Sequence, residues 1–68
     1  NGDELLRRLR QAANRKGQTF QTKPGKGDHV KVYIGSRMAP IPGRKEEIKT
    51  GTLLSILRML GLTKQDLE

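Results

Sequence analysis

Apolar residues recur at helical spacing near both ends of this chain and alternate one by one in the middle. Leu5, Leu6, Leu9, Ala12 and Ala13 share one face of a helix, with Arg7, Arg10, Gln11, Asn14 and Arg15 on the other. Leu53, Leu54, Ile56, Leu57 and Leu60 repeat the pattern, with Ser55, Arg58 and Met59 off the stripe. Between them Val30, Val32 and Ile34 point to one side of a strand, and His29, Lys31 and Tyr33 to the other. Two one-sided helices and a one-sided sheet must cover each other. The chain has 68 residues and no cysteine, so no disulfide or thiolate metal site reinforces the core. A domain this short buries only ~60% of the surface of its unfolded chain. A single histidine also leaves no structural zinc set.

Turn signals complete the order. Asn1 followed by Glu4 fits a capping box, and Gly17 fits the end of the first helix. Gln18–Lys23 reads as a first strand. Pro24, Gly25 and Gly27 form the loop to a second strand at Val30–Ile34, and Gly35-Ser36-Arg37 turns into a third at Met38–Pro42. Pro40 and Pro42 lack backbone donors, which confines that strand to a sheet edge. Thr50 or Thr52 is the expected cap of the last helix, Gly61 its stop, and Leu62–Glu68 room for one more turn. The expectation is one α+β domain over residues 1–68, α-β-β-β-α, with both helices on one face of a three-stranded antiparallel sheet. The other face, with His29, Lys31 and Tyr33, is left exposed or covered by a partner.

Charge narrows the partner. Fourteen Lys/Arg face seven Asp/Glu, a net charge of +7, and nine of the fourteen fall in residues 1–37 beside only three acids. Such asymmetry favours a polyanion, nucleic acid before membrane. The first helix lacks the aromatic anchors of an interfacial membrane helix. No apolar run approaches the ~20 residues of a spanning helix. The N-terminus lacks a secretory h-region, and its start at Asn1 reads as initiator removal or trimming. A cytoplasmic location is expected.

The stretch Lys49-Thr50-Gly51-Thr52-Leu53-Leu54-Ser55-Ile56-Leu57-Arg58-Met59-Leu60-Gly61-Leu62 resembles the closing helix of the HicA family, in its Gly-Thr-Leu, Ile-Leu and Gly-Leu run. The middle is similar too: a glycine turn, Gly27-Asp28-His29 opening the second strand, and a third strand ending in proline at Pro42. The likeness covers nearly the whole chain. It implies a double-stranded-RNA-binding-domain-like fold and ribonuclease activity on messenger RNA, as the toxin of a type II toxin–antitoxin pair. A HicB antitoxin would mask the site in a hetero-oligomer. The family's catalytic histidine falls on His29. Asp28 stands where the family commonly has serine, Val30 where many members carry a second histidine, and Gly43 and Arg44 where another is common.

Histidine alone among side chains can take and give a proton near neutral pH without a perturbed pKa. RNA brings its own nucleophile, the 2′-OH, and a positioned base accelerates its attack roughly 100- to 10,000-fold. His29 is the candidate base. Lys23, Lys26 and Lys31 are candidate phosphate clamps, Arg7 and Arg10 further RNA contacts, and Tyr33 a platform for a base. Asp28 orients the imidazole if the turn bends, and is otherwise a turn residue. Gly25-Lys26-Gly27 lacks Walker-loop spacing, and the scattered acids make no two-metal set, so no cofactor or metal is expected. From the residues alone, two readings stay open beside the nuclease. One is a non-catalytic RNA-binding module. The other is an interaction protein whose exposed sheet or edge strand docks a partner; the bland accounts of the single residues are a solvated strand face for the lysines and an exposed histidine with no task.

Overall fold

The computed structural model describes residues 1–43 and 45–68; Arg44, one of the two positions where a further histidine is common in the HicA pattern, lies outside them. Helix α1 spans Gly2–Arg15. Its cap is Asn1, whose Oδ1 accepts the Glu4 N–H at 3.0 Å. The Glu4 carboxylate turns outward to Arg8, one turn on, at 3.0 Å. Asp3 and Glu4 in the first turn and Arg15 in the last complement the helix dipole. Leu5, Leu9, Ala12 and Ala13 are buried, while Leu6 is half-covered at the edge of the stripe.

Strands β1 (Phe20–Pro24), β2 (Val30–Ile34) and β3 (Arg37–Ile41) form one antiparallel sheet in that order, so the central strand is the one without proline. β2 has the expected bounds. β1 starts at Phe20 rather than Gln18, because the Gln18 N–H still serves the end of α1, donating to the Ala13 carbonyl at 2.9 Å. β3 runs from Arg37 to Ile41 rather than from Met38 to Pro42. Ile34 pairs with Arg37 around a two-residue loop, Gly35-Ser36, with positive φ at Gly35 (59°), the glycine position of a tight hairpin. Arg37 thereby enters the ladder, and Pro42 lies beyond the last pair, Val30 with Ile41.

Helix α2 spans Thr50–Leu60. Its N-cap is Lys49, not Thr50 or Thr52, and the Lys49 side chain makes no cap hydrogen bond. Gly61 closes the helix in the left-handed region (φ 72°), and Leu62, buried beyond it, returns its N–H to the Leu57 carbonyl at 2.8 Å. The seam is Leu53, Ile56, Leu57 and Leu60. Leu54, expected on it, is 42% exposed, because it stands about 100° round the helix from Leu53. A short 3-10 turn, η1 (Lys64–Leu67), ties the C-terminus back to α1 through Arg15 to the Asp66 carbonyl and Lys16 to the Asp66 carboxylate at 3.4 Å.

One core unites these elements. Val32, Ile34, Ala39 and Ile41 from one sheet face meet Leu5, Leu9, Ala12 and Ala13 of α1 and Ile56, Leu57 and Leu60 of α2. Both helices therefore cover the same face, α1 against β1 and α2 against β3. The arrangement is α+β, in the order α-β-β-β-α. No helix among the described residues is long and apolar enough to cross a membrane.

Candidate active site

The loop between β1 and β2 is built to hold one imidazole. The Lys26 carbonyl accepts the His29 N–H at 3.0 Å, closing a four-residue turn with Gly27 at φ +58°. The Gly25 N–H donates to the His29 carbonyl at 2.8 Å. His29 thus stands just before β2, on the parity of Lys31 and Tyr33, and is exposed. The Lys26 carbonyl lies 2.8 Å from His29 Nδ1 as well. A carbonyl oxygen only accepts, so Nδ1 carries the proton. In the neutral ring the lone pair is then on Nε2. A bond of this kind settles which ring nitrogen is left to accept. The orienting group is the Lys26 backbone rather than the Asp28 side chain, which is exposed at the tip of the turn.

The open sheet face gathers three of the expected contacts. Lys23 and Lys31 are directly opposed across β1 and β2, and Tyr33 faces the same way, across from Gln21 on one side and Met38 on the other. Lys23 Nζ sits 5.3 Å from the centre of the Tyr33 ring, a cation–π contact. One face of that ring is thus already attended by an ammonium. Lys26 is exposed on the turn beside His29. Arg7 and Arg10 are exposed on α1, in the helix layer, and so are not on the surface that carries Lys23, Lys31 and Tyr33.

His29 borders two clefts. One, of about 380 Å³, is lined by Leu6 of α1, Thr22, Lys23 and Pro24 of β1, and the turn residues Gly27 and Asp28. The other, of about 260 Å³, lies between β3 and α2, and was not foreseen from the sequence. Pro40 and Pro42 form one wall, and Thr52, Ser55, Ile56 and Met59 the other. The signal available for it was a second α2 stripe at helical spacing, Thr52-Ser55/Ile56-Met59, which turns from polar to apolar. Among the described residues no group of three His, Cys, Asp or Glu side chains is placed to hold a metal ion.

Comparison with protein-family models, curated proteins and solved structures yields no match. The class is therefore set by fold and site: a small α+β domain with a single tautomer-fixed histidine at the end of a lysine-bearing open sheet.

Proposed function

We propose that this chain is an endoribonuclease toxin of the HicA type, which cuts messenger RNA in the cytoplasm without a metal and is held inactive by a HicB-like antitoxin. The observation that carries the reading is the hydrogen bond from His29 Nδ1 to the Lys26 carbonyl, which leaves Nε2 basic on an exposed surface. In the proposed step Nε2 takes the proton of a ribose 2′-OH. O2′ attacks the adjacent phosphorus and the bond to the 5′ oxygen breaks. The imidazolium or water supplies that oxygen with a proton. The products are a 2′,3′-cyclic phosphate and a free 5′-OH. In this reading the ammonium groups of Lys23, Lys26 and Lys31 offset the charge on the phosphorane.

The test is RNA cleavage by wild type and His29→Ala in the presence of a chelator. A fall of roughly 100- to 10,000-fold with an intact fold is expected. Equal rates for the two proteins would remove His29 from the chemistry, and loss of wild-type activity on chelation would remove the metal-free route. A second reading, a non-catalytic RNA-binding module, draws on His29 being the chain's sole histidine, which leaves no second imidazole to act as acid. It expects salt-sensitive RNA binding with no cyclic phosphate formed.

A further inference from the structure

The cleft between β3 and α2 has no part in the chemistry above, yet His29 forms part of its wall. We propose that it is a base-binding subsite, receiving the nucleobase of the nucleotide whose 2′-OH meets His29. The inference rests on the nuclease reading for the nucleotide's place, and adds to it the group that the enzyme grips.

Three observations lead there. The first is size. About 260 Å³ lies below the ~300–1,000 Å³ of pockets for drug-sized ligands, and suits one ring system rather than a row of peptide side chains. The second is lining. Pro40, Pro42 and Ile56 offer flat or aliphatic walls, and the Met59 thioether is a favourable neighbour for an aromatic ring. Thr52 and Ser55 line it almost wholly with their apolar atoms, so a ring would be held by packing, with no preference imposed on its polar edge. The third is charge. Lys31 is paired with Pro40 across the sheet, and Lys26 lies in the turn that holds His29. A ligand with an apolar ring on one side and a phosphate on the other matches that layout. Met59, 51% exposed in a protein with so small a core, gains cover when a ring is bound.

The rival platform is Tyr33 on the open face, and the chain distinguishes the two by itself. It has two methionines: Met59 in the cleft and Met38 beside Tyr33. Methyl-labelled protein therefore gives two methionine signals, one for each surface. Titration with uridine and adenosine 3′-monophosphate is expected to shift the Met59 methyl, whereas ribose 5-phosphate leaves it in place. Ser55→Phe, at an exposed helix position, plugs the cleft and is expected to abolish the Met59 shift while the Met38 signal reports an intact fold. A shift at Met38 alone, no shift at either methyl at millimolar nucleotide, an equal Met59 shift with ribose phosphate, or a Met59 shift retained in Ser55→Phe would each overturn the subsite.

A cleavage arm separates this inference from the one it rests on. In a deoxy strand with a single ribonucleotide, removing that nucleotide's base is expected to slow cleavage roughly tenfold, the scale of one base-stacking contact. An uncut strand with the Met59 shift intact sinks the nuclease reading and spares the subsite. Equal cutting with and without the base, or a silent Met59, does the reverse.

Discussion

Gly25 and His29 are packed so closely that a Cβ at position 25 would come within 3.2 Å of the His29 Cβ and of the His29 carbonyl oxygen. The glycine is therefore part of the device that aims the imidazole. Lys26 holds the ring from one side through its carbonyl, and the bare Gly25 backbone lets the ladder close beside it.

Gly25→Ala should displace His29 by a few tenths of an ångström with little damage to the core, which the turn does not enter. Misplacing a catalytic group by about 1 Å can cost roughly 100-fold, so a fall of about tenfold in RNA cleavage is expected. The thermal midpoint should stay close to wild type. A variant that cuts at the wild-type rate would show that the turn does not set the ring's position.

Lys23 and Lys31 face each other across β1 and β2. Like charges so placed oppose sheet pairing, an arrangement that stability alone does not favour. Lys31→Ala should therefore leave stability unchanged or raise it by up to ~0.5 kcal/mol, while weakening RNA binding. If Lys31 neutralises one phosphate, the slope of log K against log salt should become shallower by about 0.7 on single-stranded RNA. Denaturant titration and salt-dependent binding measure the two halves, and an unchanged slope would make Lys31 a plain surface residue.

The start of α2 is open to improvement. Lys49 has the extended backbone of an N-cap (φ −69°, ψ 152°), but its ammonium cannot accept from the N–H groups of the first turn. Lys49→Ser keeps the backbone and adds an acceptor. It should stabilise the domain by about 1 kcal/mol, read as a higher denaturant midpoint at unchanged slope. No gain would mean that another group already serves that turn.

The helix start also marks where sequence reading stops. Periodicity places α1, β2 and the seam of α2, because burial on one face imposes a repeat on the residues themselves. It misplaces the α2 cap, since side-chain chemistry favours Thr50 or Thr52, whereas the cap falls where the backbone leaves the extended region, at Lys49, and neighbours decide that angle. His29 stands out as a lone histidine after a glycine turn. Its orienting partner does not, because every residue has a carbonyl and only the fold of the turn selects that of Lys26. The cleft beside it joins residue 29 to residues 40–42 and 52–59, segments brought together by the packing of α2 on β3.

Asp66 links stability to pH. The Thr63 backbone N–H, 2.8 Å from its carboxylate, is the main cause holding its pKa below the ordinary carboxylate value; partial burial opposes this, and Lys16 and the Thr63 hydroxyl assist. A carboxyl whose pKa is lower in the folded state binds fewer protons there than in the unfolded chain. Its contribution is then complete above the unfolded value, about 3.9, and is lost as pH falls through the folded value. Asp66 sits in η1, which is tied to α1 by Arg15 and Lys16, so its protonation should loosen the C-terminal turn before the core gives way. Thermal midpoints taken down from pH 5 should therefore drop more steeply for wild type than for Asp66→Asn. The two curves should differ most at neutral pH and converge in acid. Added salt should narrow the gap only in part, because the Lys16 pairing is screened, whereas the hydrogen bond from Thr63 is local. Parallel curves across that range would show that Asp66 is as free in the folded protein as in the unfolded chain.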